Sequence, residues 1–269
     1  MQRLFMALAT VPALILALAA PAAADRLDDV KARGKLVVGV SDTTPPFTFK
    51  KDGVHVGYDI DVVRAVAKRL GLTVDTVSLS SAERIPLLKE GKLDFVATSM
   101  TRTPERLKDV DFSVIYFVTP HAVIVKKSSG IASVHQLAGK KASSASASTA
   151  GGNLKEVVPS IEIVYVRDYA IAFAMLKDGK VDAFPTDESV LRAIVQQDGN
   201  PNDYLFLPDF TKSRNVGFAL KKDEPRFKDA INRALLDLET SGEAAKIFDT
   251  WFGPGSKEPM ARKFKIQAD

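Results

Sequence analysis

The sequence of 269 residues carries 37 Lys and Arg against 33 Asp and Glu, a formal net charge of +4, and contains no cysteine. Charge this balanced, without a basic tract interleaved with aromatics, excludes a nucleic-acid partner. The missing cysteine excludes disulfides, thiolate zinc sites and a lipid-modified N-terminal Cys.

Met1 to Arg3 supply a positive start, Leu4 to Ala20 an uncharged apolar run, and Pro21-Ala22-Ala23-Ala24 a small-residue cleavage site. That pattern predicts a secretory signal peptide over 1–24, with a mature periplasmic chain beginning at Asp25. A retained anchor would want about 20 apolar residues and usually a basic stop signal. Asp25 to Lys31 is instead a mixed-charge helix start. No later apolar run is long enough to span a bilayer, which argues against the sensor module of a membrane receptor.

Leu36-Val37-Val38-Gly39-Val40 has the character of a buried strand. Ile60, Val63, Val66, Ala67 and Leu70 recur at helical spacing, with Gly71 at the C-cap. Alternation of this kind predicts α/β layers with parallel strands. An internal echo adds to it. Leu88-Lys89-Glu90-Gly91-Lys92-Leu93-Asp94 precedes Phe95 to Ser99, and Leu176-Lys177-Asp178-Gly179-Lys180-Val181-Asp182 precedes Ala183 to Asp187. A fainter echo pairs Gly34-Lys35, before a strand ending at Ser41, with Gly139-Lys140, before a segment ending at Ser146. One echo is an ordinary helix-to-strand connection, whereas two in the same order predict two similar lobes. Ligands of open α/β sheets sit beyond the carboxyl ends of the strands. Ser41 and Ser99 should therefore face Ser146 and Asp187 across a polar cleft.

Thr103 is placed to cap a helix with Pro104 at its first position. Arg106 then falls in the first turn, where a cation opposes the helix dipole. It is either a bidentate clamp on a carboxylate or a solvated arginine paired with Glu105 or Asp109. Asp187 is either a pocket carboxylate, an N-cap for the helix Ser189 to Val195, or both. His55, His121 and His135 have no ligand-like spacing, so no metal or other cofactor is expected. Trp251, Phe248 and Phe252 suggest packing, and Ser143 to Thr149 lacks the G-x-S-x-G elbow of a serine nucleophile. Phe117 to Val125 and Asn215 to Leu220 are extended apolar stretches fit to cross between lobes. They divide the chain into lobe one, 25–116 and 217–269, and lobe two, 117–216.

Several stretches occur in one order over nearly all of the mature chain. They are Gly39-Val40-Ser41-Asp42-Thr43-Thr44-Pro45-Pro46-Phe47, Gly57-Tyr58-Asp59-Ile60-Asp61, Arg84-Ile85-Pro86-Leu87-Leu88 and Gly91-Lys92-Leu93-Asp94 with Thr101 to Arg106. Asp111-Phe112-Ser113, Leu137-Ala138-Gly139-Lys140, Ser241-Gly242-Glu243 and Trp251-Phe252-Gly253 complete the set. The ordered set resembles family 3 of the bacterial extracellular solute-binding proteins, the periplasmic polar amino-acid receptors of ABC importers, and is nearest to the glutamate/aspartate-binding branch.

The resemblance implies a type II periplasmic-binding-protein fold, two α/β lobes on a two-strand hinge closing on a ligand. It implies a monomer that binds a free L-amino acid, acidic or polar, and delivers it to an inner-membrane permease with its ATPase. Arg106 would hold the α-carboxylate, helped by Thr101 and by N–H groups around Ser148 and Thr149. Ser99 and Asp187 would take the α-ammonium. Ser41, Asp42, Thr44, Ser81, Arg84, Ser148 and Tyr169 would line the side-chain end. Arg84 points to acidic ligands and Asp42 to cationic ones, while the two together would suit a neutral polar ligand such as glutamine. Some relatives carry a basic residue at the position of Ser41, and many carry an aromatic plate where this chain has Ser81. The alternative is a cyclohexadienyl or arogenate dehydratase on the same scaffold, which would need a general acid in the cleft, with Glu188 as the candidate.

Overall fold

The computed structural model describes residues 25–257 and 259–268. The expected signal peptide lies outside the described residues. The chain begins with α1 (Arg26–Arg33), β1 (Lys35–Val40), a small meander of β2 (Thr43–Thr44), β3 (Thr48–Lys51) and β4 (Val54–Val56), α2 (Tyr58–Leu70) and β5 (Thr73–Ser78). It continues through α3 (Arg84–Lys89), β6 (Phe95–Val96), β7 (Asp111–Phe112) and β8 (Phe117–Lys126). Then come β9 (Lys141–Ala145), α4 (Ala150–Val157), β10 (Glu162–Val166), α5 (Tyr169–Lys177), β11 (Ala183–Asp187) and α6 (Glu188–Gln197). The last elements are β12 (Tyr204–Phe206), β13 (Lys212–Val216), β14 (Ala219–Leu220), α7 (Pro225–Thr240) and α8 (Glu243–Phe252).

Two sheets carry the architecture. One has the order β5-β1-β6-β14-β7; the other is β10-β9-β11-β8-β12, with β13 also paired to β8. The echo seen in the sequence is structural. β5-β1-β6 and β10-β9-β11 are equivalent parallel triplets, with β6 and β11 each following one copy of the repeated helix–Gly–Lys turn. Parallel strands do not continue through either sheet, however. β14 runs antiparallel to β6, and β8 antiparallel to β11, β12 and β13. The reason is connectivity: a chain that leaves the first sheet on β8 and returns on β13 and β14 must run both ways along the same line. β13 pairs with β8 from Val216↔Phe117 to Lys212↔His121; of the second expected crossing stretch only Asn215 and Val216 lie beside the first, while Ala219 and Leu220 pair within the first sheet.

Burial follows the periodicity. Leu36, Val38 and Val40 on β1 and Val63 and Val66 on α2 are fully buried in one cluster. The expected packing role of Phe248 and Phe252 is met. Both lie in an aromatic group with Phe47, Tyr58 and Phe117, whose ring is 4.9 Å from Phe47, 5.1 Å from Tyr58 and 5.1 Å from Phe252. Such pairs contribute about 0.5–1.5 kcal/mol each beyond burial. Trp251 packs at the edge of this group, on Phe49, and donates to Asp61 at 2.8 Å. The C-terminal segment crosses the same cluster, with Phe264 5.0 Å from Phe117 and Arg262 paired with Glu239.

α2 starts where the chain presses on its own backbone. Gly57, its N-cap, has φ 136°, and a Cβ there would lie 2.0 Å from the Phe47 carbonyl oxygen. Gly71, at the other end of the helix, also has positive φ (70°) but open space around it. We expect Gly57→Ala to cost more than about 2 kcal/mol and Gly71→Ala about 1 kcal/mol. Urea unfolding of the two variants would measure this, and equal losses would show that the approach to Phe47 is immaterial.

Candidate functional site

The strand tips of the two sheets meet. Ser99, just beyond β6, donates from its hydroxyl to Asp187 Oδ2 at 3.1 Å, from one lobe to the other. Ser99 has φ +49°, which is unusual for a residue with a Cβ. Asp59, the second residue of α2, holds this turn: its Oδ2 accepts from the Ser99 N–H at 2.6 Å and its Oδ1 from the Tyr116 hydroxyl at 2.8 Å. Burial pushes the Asp59 carboxyl up to about 6, against the hydrogen bonds from Ser99 and Tyr116.

Arg106 crosses the cleft as well. Its Nη1 donates to the Thr101 carbonyl and its Nη2 to the Ala147 carbonyl, each at 2.7 Å. Glu105 and Asp109 are engaged by Lys108 and Lys89 instead, so the surface-pair reading of Arg106 is excluded. The local helix differs from expectation. Thr103 Oγ1 accepts from the Arg106 N–H at 3.2 Å, but the segment is a single 3-10 turn, Arg106–Lys108, with no α-helix behind it. The argument from an opposed α-helix dipole therefore falls; the arginine is held by carbonyls of both lobes. Burial brings Arg106 down to about 10, with Arg84 adding repulsion, so it stays a cation at neutral pH.

Arg84 opens α3 and is buried at 4 % exposure, and its guanidinium lies against the Tyr169 hydroxyl, which opens α5. Burial alone would raise Tyr169; Arg84 and Arg214 outweigh it and hold the phenol below its usual value. Ser148 also touches Tyr169, and its Oγ accepts from the Ala150 N–H at 3.3 Å. Thr149 is the N-cap residue of α4, the helix expected there, without a capping bond from its side chain. Asp187 sits at the N-cap of α6 yet makes no capping bond. Its carboxylate faces the cleft.

The side-chain end opens into a cavity of about 260 Å³ lined by Ser41, Asp42, Ser78, Ser81, Arg167 and Tyr169, among others. Ser41 accepts from the Thr44 hydroxyl at 2.7 Å. Asp42 faces this cavity already compensated, by His55 at 2.8 Å and Lys50 at 3.0 Å. Burial would raise its carboxyl, but His55, Ser78 and Lys50 hold it at about 2. Glu188, the acid a dehydratase would need, is bound by Arg192 at 2.5 Å on α6.

Three residues of the site are not among those expected from the sequence: Asp59, His121 and Arg214. Register explains the last two. On β8, His121 stands opposite Asp187 of β11 and opposite Lys212 of β13, and Arg214 stands opposite Thr119, two residues away on the same face. Arg214 Nη1 contacts Asp187 Oδ1, and its Nη2 donates to the Ser99 carbonyl at 2.5 Å. His121 Nδ1 lies 2.8 Å from the Asn153 amide nitrogen, and its Nε2 lies 3.4 Å from Asp187 Oδ1 and 3.5 Å from Arg214 Nη1. The signal available in the sequence was His121 inside the first crossing stretch and Arg214 immediately before the second. His55 and His121 are thus satisfied, as expected, although His121 belongs to the site. Among the described residues no group of His, Cys, Asp and Glu could hold a metal ion.

Burial, then Arg214, Lys212 and Arg106, push His121 down to about 2. The folded protein therefore refuses a proton that the unfolded chain accepts below about 6.5. Stability is full above that pH and falls as pH drops toward 2. Between pH 6.5 and 4.5 the wild type should lose ~2 kcal/mol more than His121→Gln. Parallel slopes in denaturant titrations of the two proteins would refute this.

Comparison with known proteins places the chain. Residues 36–254 match the profile of bacterial extracellular solute-binding proteins, family 3. The chain is 34% identical over 233 residues to the ABC transporter glutamine-binding protein GlnH of Bacillus subtilis, covering 84% of each. It is 31% identical over 257 residues to the glutamate/aspartate import solute-binding protein of Escherichia coli, covering 91% of this chain and 84% of the relative. Among solved structures, an ancestral amino acid-binding protein described as a precursor of cyclohexadienyl dehydratase is 33% identical, with a TM-score of 0.77 over 84% of this chain and 99% of its own. With two α/β lobes meeting at their strand tips around Ser99, Arg106 and Asp187, this chain belongs to the bacterial extracellular solute-binding proteins, family 3.

Proposed function

We propose that the protein is the periplasmic receptor of an amino-acid ABC importer and that it closes on a free acidic L-amino acid. One observation carries the ligand class. Arg84 and Arg214, both buried, and the half-buried Arg106 converge on a cleft whose buried carboxylates are Asp59 and Asp187. Three cations against two anions leave an excess of positive charge out of water, which a ligand of net negative charge neutralises. Asp42 does not offset it, since Lys50 and His55 already compensate that carboxylate.

In this reading Arg106 clamps the α-carboxylate with Thr101 and the N–H groups at Ser148 and Thr149 at the start of α4. Ser99 and Asp187 face the ammonium. Arg84 takes the side-chain carboxylate beside Tyr169, Ser81 and Ser41. Lobe one comprises 25–116 and 217–269 and lobe two 117–216, joined by β8 and β13. The signal peptide, 1–24, sends the protein to the periplasm as a monomer, where an inner-membrane permease with its ATPase accepts the ligand. The Bacillus subtilis and Escherichia coli relatives named above are transport binding proteins, and Glu188 is occupied by Arg192, which supports the receptor over the dehydratase.

Two variants test the assignments. The mature protein, unfolded and refolded to strip bound ligand, is screened by thermal shift against the amino acids and prephenate. A micromolar ligand at ~1 mM stabilises by about 4 kcal/mol. Arg106→Ala should abolish that shift, because the α-carboxylate loses its charge-assisted pair; affinity retained within a few-fold would refute the clamp. Arg84→Ala should weaken acidic ligands at least ten-fold more than glutamine. An even loss across ligands would make Arg84 structural.

A further inference from the structure

Asp187 is expected to answer the ligand ammonium, yet the protein itself already answers Asp187. Its Oδ1 is contacted by the Arg214 guanidinium and lies 3.4 Å from His121 Nε2, and its Oδ2 accepts from the Ser99 hydroxyl. Asp187 and Arg214 are 1 % and 7 % exposed, so this is a buried ion pair, reaching across β8 from the strands on either side of it, and not a surface contact. Buried pairs of this kind interact strongly, because little water screens them. Arg214 also fills the Ser99 carbonyl, the other acceptor at that corner.

The remaining cations are different. Among the described residues neither Arg84 nor Arg106 makes an ion pair: Arg106 is held by carbonyl oxygens, and Arg84 lies against the Tyr169 hydroxyl. Two guanidiniums on the lobe-one wall therefore lack carboxylate partners, while the carboxylate meant for an ammonium has a cation of its own.

We infer that this receptor recognises its ligand as a dicarboxylate, and that Arg214, standing on the hinge strand in place of the ligand ammonium, makes the amino group dispensable. Short dicarboxylates bearing a 2-oxo group or no substituent then enter the same cleft. The inference rests on the acidic reading above and goes beyond it, since an amino-acid receptor of ordinary design would reject both. Arg214 is a positioning residue for Asp187 and sets the amino-group selectivity.

The test is calorimetric titration of the stripped mature protein with L-glutamate, 2-oxoglutarate and glutarate, and with L-aspartate and succinate. Within the better-bound series, the compounds without the amino group should bind within about ten-fold of the amino acid. Arg214→Met should then raise the preference for the amino acid at least ten-fold, because Asp187 is left with the ammonium as its cation. That readout is a ratio of affinities, which a purely structural loss would not move. If the variant does not fold, the wild-type titrations decide alone. Loss of more than ten-fold on removing the amino group overturns the inference and leaves the acidic amino-acid reading standing. Binding of none of the five, with another amino acid bound, overturns both while leaving an amino-acid receptor. No binding of any amino acid removes the receptor reading itself.

Discussion

Three guanidinium groups share a cleft from which most water is gone, and the rest of the site is arranged around that fact. Burying one charge costs several kcal/mol even after relaxation, and burying like charges together adds repulsion. Both effects are visible: burial first, then Arg106 and Arg84, bring Arg214 down to about 9, and it still carries its charge at neutral pH. The Tyr169 hydroxyl lies against Arg84, and Arg84 and Arg214 hold the phenol below its usual value against the effect of burial. Asp59 answers from behind, but it is spent on fixing the Ser99 turn. Closing the lobes therefore creates a deficit of negative charge that the protein does not fill by itself. In the proposed reading, a ligand that brings negative charge stabilises the closed form more than the open one, and a difference of that kind is what moves a hinge.

The hinge is built to transmit this. Phe117, at the start of β8, is rooted in the aromatic cluster with Phe47, Tyr58 and Phe252. Four residues later the same strand presents His121 to Asp187. At about 3.4 Å per residue, roughly 14 Å separates the anchor in one lobe from the polar face in the other. Its partner β13 spans the same length in the opposite direction, from Val216 beside Phe117 to Arg214 and Lys212 beside the site. Rotation of the lobes must be taken up between these points, so the cations on β13 sit on the moving boundary itself.

Much of this was legible in the residues because it is periodic or local. The helix ending at Gly71, the strand at Leu36 to Val40 and the paired turns at Gly91 and Gly179 follow from spacing and caps, and the two-lobed division followed from the repeat. Ser99, Arg106 and Asp187 stood out because polar residues end apolar strands. Arg214 and His121 did not, since each lies within a strand and not at its tip, and only the pairing of β8 with β11 and β13 brings them to Asp187. The antiparallel strands were likewise invisible, because strand direction depends on where the chain re-enters a sheet, which no local pattern encodes. Thr103 and Pro104 gave a correct cap but a wrong helix: a capping motif specifies how a turn starts and says nothing about how long it continues.

The two lobes repeat the same strand order, but they do not repeat the charges. Lobe one carries Arg84 and Arg106, lobe two carries Asp187, and Arg214 rides on the hinge strand that touches both. In an open form Arg84 and Arg106 would be solvated at little cost, while Arg214, placed by the β8–β13 register, would stay beside Asp187. The bonds of both residues to Ser99, however, cross to lobe one and depend on closure. The desolvation of the two lobe-one arginines differs between the states as well. In the proposed reading, a ligand group that meets those arginines contributes to closure. Selectivity in such a device follows from which charges change their surroundings on closing, more than from which charges line the pocket.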